Sequence, residues 1–314
     1  GTLALTGGTT LVDTGAVLLT STGAVQLNNN ETIGSLTGSA ATGFTLGANT
    51  LTTGDATSTN FAGAMTGTGG LTKQGAGTFT LSGANTFTGA TNVNAGILAL
   101  AGGSALSDTT AVTLANTAGV SLDVQANETI GSLAGGGATG GNVTLGANTL
   151  TLGDASNTVF AGIMSGAGGG LTKQGAGSLQ LTAVHTYTGP TNINAGTLTL
   201  DGTIAGLVNV NAGGMLNGTG TIGGNLNGVG GTIRPGNSIG TINVTGNLTL
   251  DASTTLQVEI LKGDPVNKMA DLLNVTGNAT LAALTTINVD PLDRANLLEG
   301  DLFTIINTNG GTVT

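Results

Sequence analysis

Apolar and polar residues alternate along this chain in short runs. Thr78-Phe79-Thr80-Leu81, Leu98-Ala99-Leu100 and Val112-Thr113-Leu114 each put their apolar side chains on one face of an extended backbone. Clusters of Gly, Asn and Asp interrupt the runs about every 8 to 12 residues. Gly and Asn tolerate positive φ, so these clusters read as tight corners. The pattern predicts many short strands.

The runs recur. Asn30-Glu31-Thr32-Ile33-Gly34-Ser35-Leu36 returns at 127–133, and Leu46-Gly47-Ala48-Asn49-Thr50-Leu51-Thr52 at 145–151. Leu71-Thr72-Lys73-Gln74-Gly75-Ala76-Gly77 returns at 171–177, and Thr91-Asn92-Val93-Asn94-Ala95-Gly96 as Thr191-Asn192-Ile193-Asn194-Ala195-Gly196. The offset grows from 97 to 100 through small insertions in Gly-rich turns. Four segments follow: repeat units at 1–95 and 96–195, divergent coils at 196–250, and C-terminal coils or a cap at 251–314.

Short strands under a long repeat suit a sandwich, a propeller or a solenoid. Propeller blades carry an aromatic signature, but aromatics are 2% of this chain. A sandwich does not explain near-identical units. The expected fold is all-β, a right-handed parallel β-helix, in which each strand bonds to the strand one coil below. Its narrow core needs only small and aliphatic side chains. Coils of roughly 20 to 25 residues would give each unit four or five. Segments 266–273 and 292–298, beside Pro265 and Pro291, are expected as short helices or loops.

Composition narrows the class further. Gly and Thr number 58 each, Asn 30, and charged residues are only 7%. Gly and Thr are weak helix formers, four Pro exclude collagen, and a mean hydropathy of +0.30 argues against disorder. A net charge of −10, with six Lys and Arg, disfavours nucleic acid and anionic membrane. The absence of Cys excludes disulfides and thiolate metal sites. No apolar run is long enough for a transmembrane helix. Gly1 opens no signal-peptide pattern, so a cytosolic protein or a processed piece of something larger is expected.

The stretch from Leu71-Thr72-Lys73-Gln74-Gly75-Ala76-Gly77 to Thr91-Asn92-Val93-Asn94-Ala95-Gly96 resembles the passenger-associated repeat of bacterial autotransporters, and 171–196 resembles a second copy. Arg234-Pro235-Gly236-Asn237-Ser238-Ile239-Gly240, Gly246-Asn247-Leu248-Thr249-Leu250 and Asp271-Leu272-Leu273-Asn274-Val275 resemble the last coils of such passengers. The resemblance implies a β-helical passenger of a Gram-negative bacterium, secreted or displayed at the outer membrane. It also implies a C-terminal β-barrel translocator in the precursor, following about where this chain stops. Residues 251–314, with eight of the 16 acids, would then be the fold-nucleating end. The family includes adhesins, proteases, esterases and structural surface proteins, so function must be argued from sites.

The candidate chemistry is sparse. His185 is the sole His, so a Ser-His-Asp triad or a His-centred metal site would have to use it. It stands where the first unit has Asn85, and is expected in a surface turn. Glu31, Asp55, Glu128 and Asp154 recur with the repeat and are expected at solvated corners. Lys73 and Lys173 recur in the same way. Polysaccharide-cleaving β-helices instead gather carboxylates, Ca²⁺ and a basic residue at one place. Arg234, beside Pro235, is expected in a structural turn. Gly218-Thr219-Gly220-Thr221-Ile222-Gly223 matches the dinucleotide fingerprint as a string, but more Gly-Asn turn follows it rather than a helix. Asn-x-Thr strings such as Asn247-Leu248-Thr249 reflect abundance. No residue is assigned as catalytic, cofactor-binding or metal-ligating, and no cofactor is implied.

The resulting expectation is a structural or adhesive surface rod whose repeated weak contacts add up. Host cells, other surfaces or its own kind are the expected partners. The alternatives are a fibre subunit stacking through uncapped strand edges and a polysaccharide-acting enzyme.

Overall fold

The computed structural model describes residues 1–7, 10–262, 268–292, 297–298 and 300–314. Every regular element among them is a β-strand. The chain forms two compact units, Gly1–Gly170 and Leu171–Thr314, and each is a parallel β-helix with three walls.

In the first unit one wall stacks Glu31–Ile33, Leu51–Thr53, Leu71–Lys73, Thr91–Val93, Ala111–Leu114 and Ser132–Gly135. A second stacks Thr59–Phe61, Thr78–Leu81, Ile97–Leu100, Ser121–Val124 and Asn142–Thr144. The third is formed first by Thr2–Leu5, Ala24–Leu27, Gly43–Gly47 and Ala64–Gly67, and later by Glu128–Ile130 and Thr149–Leu152. Register partners lie 20 residues apart at Leu51 and Leu71, and 24 apart at Leu100 and Val124. The coil length expected of a parallel β-helix holds at these positions.

The second unit departs from that length. Thr191–Ile193, Val208–Asn211, Leu226–Val229, Leu248–Leu250 and Ala279–Leu281 form one wall. Thr191 pairs with Val208 after 17 residues, whereas Leu248 pairs with Ala279 after 31. A second wall stacks Ser178–Leu181, Gly196–Leu200, Gly214–Gly218, Thr232–Pro235 and Thr255–Lys262, and the late coil is long because Thr255–Lys262 also pairs antiparallel with Lys268–Ala270. The third wall runs through Val184–His185, Thr203–Ile204, Thr221–Ile222, Thr241–Val244, Leu272–Val275 and Ile306–Thr308. The helix or loop expected over 266–273 is thus corrected, since its described residues fall mainly in the strands Lys268–Ala270 and Leu272–Val275. Leu272 and Leu273 continue the columns of Thr241 and Ile242, and this pairing overrides the local cue from Pro265. Of the second segment, 293–296 lies outside the described residues, and Leu292, Leu297 and Leu298 belong to no helix.

The cores are columns of inward side chains. Leu198, Leu216, Ile233 and Leu256 stack in the second unit and are fully buried. Each such side chain contributes roughly 1.5–3 kcal/mol of burial. In the first unit one column reads Ile33, Thr53, Lys73, Val93 and Leu114. It places a hydroxyl and an amine in an otherwise apolar stack.

Candidate functional site

The polar residues singled out by sequence turn out to be mostly internal. Glu31 and Glu128 open three-residue strands whose residues point in, out and in. Their register partners are Leu51 and Leu150, so both carboxylates face the core and are buried. This corrects their expected place at solvated corners. Glu31 accepts the backbone N–H of Leu11 at 2.8 Å and of Thr10 at 3.3 Å. Glu128 accepts from Leu106 at 2.8 Å and Ala105 at 3.1 Å. Each carboxylate takes backbone N–H groups from the loop one coil earlier. Burial raises the Glu128 pKa, against the pull of those two N–H groups. Asp55 and Asp154 do stand in corners, where they accept the N–H of Thr57 at 2.6 Å and Ser156 at 2.8 Å.

Lys73 is the amine in the core column. Its Nζ donates to the carbonyls of Gln74 at 2.8 Å, Gly75 at 2.7 Å and Ala95 at 3.1 Å. Burial lowers its pKa to about 8, opposed by the charge of Asp55. Lys173 repeats the arrangement toward Gly175 and Ala195. These amines tie successive corners together from inside.

His185 is fully buried in the strand Val184–His185, with Ile204 as its register partner. The expected surface turn is therefore corrected: the position faces inward, and its first-unit counterpart Asn85 is buried too. The Asn85 amide donates to Gly83 O at 3.1 Å and Ala105 O at 2.7 Å, and its oxygen accepts from Met65 N at 2.7 Å. Burial lowers the His185 pKa to about 4, so the ring is neutral in ordinary media. Arg234 lies in the strand Thr232–Pro235 rather than in a turn, and pairs with Glu259. Asp271 braces the same region, accepting from Glu259 N at 2.8 Å and Gly240 N at 2.9 Å. Burial raises its pKa against those donors. Gly218 ends one strand and Thr221–Ile222 forms the next, so the fingerprint-like string sits on coil walls. Among the described residues no three His, Asp or Glu side chains are grouped to hold a metal ion.

What faces outward is a regular polar surface. One row of the first unit reads Thr32, Thr52, Thr72, Asn92 and Thr113, one residue per rung. In the second unit Asn192, Asn209 and Asn227 form an amide ladder, with Nδ2 to Oδ1 distances of 2.8 and 2.9 Å. Rung spacing is about 4.8 Å, so each face repeats the same small polar group at that interval.

The passenger-associated transport repeat matches residues 71–100 and again 171–200. Over 180 residues, 54% of its length, the chain is 38% identical to the adhesin BmaC autotransporter of Brucella suis biovar 1 (strain 1330). It is also 38% identical over 102 residues, 32% of its length, to an extracellular serine protease of Serratia marcescens. The chain carries two copies of the repeat found in autotransporter passengers. Its place is secreted or at the cell surface of a Gram-negative bacterium. The matched segments span 5% of the adhesin and 10% of the protease.

Both matched repeats of the passenger contain the buried amine, the Asn85 or His185 position, and an aromatic four residues before an inward Thr. In the second copy the Tyr187 hydroxyl lies 2.6 Å from Thr191 Oγ1. In the first copy Phe87 replaces the tyrosine, and the buried Thr91 Oγ1 has no hydrogen-bond partner. Phe87→Tyr is expected to stabilise the first unit by about 0.5–1.5 kcal/mol. Thermal unfolding should show the gain in wild type and lose it in the Thr91→Val background.

His185 gives a pH dependence. The unfolded residue takes its proton near 6.5 and the folded one only near 4. The unfolded chain therefore binds more protons between these values, and stability falls as pH drops through that window. The loss by pH 5 is on the order of 2 kcal/mol. Urea titrations at pH 7 and pH 5 should show it, and His185→Asn should flatten the difference.

Proposed function

We propose that this passenger acts as a surface-displayed adhesive segment without a reaction centre of its own. The observation that carries this reading is the use of its reactive side chains. The carboxylates of Glu31 and Glu128, the amines of Lys73 and Lys173, and the imidazole of His185 are buried in the coil interior. What remains outside is a periodic Thr and Asn face suited to many weak contacts, whose avidity grows with repetition. The adhesin relative supports the same reading. The protease relative points the other way, but a Ser-His-Asp centre on this chain would need His185, which solvent does not reach. In the precursor the expected export partner is a C-terminal β-barrel.

Beads coated with residues 1–314 should bind host cells or abiotic surfaces above an uncoated control. Thr72→Glu with Thr113→Glu should reduce that binding while the circular dichroism stays the same. Absence of binding by the wild-type chain would refute adhesion, and turnover of an ester, peptide or polysaccharide would refute the non-enzymatic reading. A second reading, assembly into fibres, draws on the apolar residues Leu3 and Leu18, exposed on Thr2–Leu5 and Ala16–Leu19. It requires concentration-dependent fibres in electron micrographs.

A further inference from the structure

Asparagine followed by glycine is chemically labile, because glycine lets the next backbone nitrogen swing toward the side-chain carbonyl carbon. The chain has three such pairs, Asn217-Gly218, Asn227-Gly228 and Asn309-Gly310. The fold treats them differently. Asn217 lies within Gly214–Gly218, flanked in register by Thr199 and Arg234. Asn227 lies within Leu226–Val229, between strands on both sides, and its amide donates to Asn209. Neither backbone can turn inward without leaving its wall. Asn309 follows the strand Ile306–Thr308 and is exposed. Gly310 has φ +94, and a Cβ built there would meet nothing within 4 Å. The one pair outside a strand is therefore also the one whose glycine has open space at its Cα, and its N–H is held only by Thr308 O, at 2.7 Å, which it must leave to attack.

We propose that Asn309 is a spontaneous deamidation site whose conversion loosens the segment 306–314. The Gly310 nitrogen gives up its proton to water and bonds to Cγ of Asn309. The Cγ–Nδ2 bond breaks and ammonia leaves, which closes a five-membered imide. Water then opens the imide to aspartate or isoaspartate. No oxidant or further reactant is needed.

The amide that is lost has a structural role. Asn274 Oδ1 accepts from Asn307 Nδ2 and from Asn309 Nδ2, each at 3.1 Å, and Asn307 also donates to Asn309 Oδ1 at 3.0 Å. A carboxylate at 309 removes one donor and faces the Asn274 oxygen. An isoaspartate adds a backbone carbon just before the contacts of Thr312 with Asn278 and of Thr314 with Ala279.

The test incubates residues 1–314 at pH 8 and follows each Asn-Gly peptide by mass spectrometry. Conversion at 309 should exceed that at 217 or 227 by at least about tenfold, because those sites must first open locally. Asn309→Gln, which keeps an amide but cannot close the five-membered ring readily, should remove the signal. Asn309→Asp should speed amide hydrogen exchange at Thr312 and Thr314. Equal conversion at 217 or 227, or none at 309, overturns the assignment. Unchanged exchange in Asn309→Asp overturns the loosening.

Discussion

Gly54→Ala is expected to be the most damaging single substitution in the first unit. Gly54 has φ +125, and its Cβ would lie 1.7 Å from the carbonyl oxygen of Gln74 on the next coil. That carbonyl also receives the Lys73 amine at 2.8 Å, so it cannot swing aside without breaking the internal tie. Backbone strain and forced displacement together should cost about 3–5 kcal/mol. Gly119→Ala is the control. Gly119 has φ +82, yet its Cβ would meet nothing within 4 Å. It should lose only about 1 kcal/mol, from strain alone. Urea midpoints of the two variants separate close rung stacking from glycine conformation. Similar losses would mean that the coils are not in contact at Gly54.

Glu128→Ala should cost the first unit about 2–4 kcal/mol, because the N–H groups of Ala105 and Leu106 are left buried and unpaired. Glu128→Gln should fall between Ala and wild type, since its amide turns an N–H toward one of the two donors. Exchange of the 105 and 106 amides should rise in the Ala variant well before global unfolding. Mild acid is not equivalent to the mutation. The folded pKa of Glu128 lies above its ordinary 4.5. The folded chain therefore holds the proton more tightly through that interval, and stability does not fall as this group alone is neutralised. An acid-induced opening of the 101–110 corner, abolished by Glu128→Gln, would contradict the sign.

Much of the fold was legible in the sequence because a β-helix is local in register. Thr78–Leu81 and Ile97–Leu100 are one coil apart in both sequence and space, and their matching alternation marks them as neighbours. The polar interior was not legible, because a charged side chain in a Gly- and Asn-rich stretch ordinarily marks solvent exposure. Glu31 was nonetheless within reach. It begins the triplet Glu31-Thr32-Ile33, which aligns with Leu51-Thr52-Thr53 and Leu71-Thr72-Lys73. That alignment puts the acid in a column of leucines. The same comparison places Lys73 over Thr53 in a column with Ile33 and Val93. His185 was harder to place, since its counterpart Asn85 gives no hint of burial. The Arg234–Glu259 pair could not be located, because coil length varies from 17 to 33 residues in the second unit.

The most direct test of the stacked-coil account uses paired cysteines, which the native chain lacks. Thr72 and Asn92 are register partners on adjacent rungs, while Thr72 and Thr113 are two rungs apart. Their Cα separations should be about 4.8 and 9.6 Å, and a disulfide spans roughly 4.4–6.8 Å. The Thr72→Cys/Asn92→Cys chain should oxidise to an intramolecular crosslink, and Thr72→Cys/Thr113→Cys should stay reduced under the same conditions. Equal crosslinking of both pairs, or of neither, would contradict an in-register parallel stack.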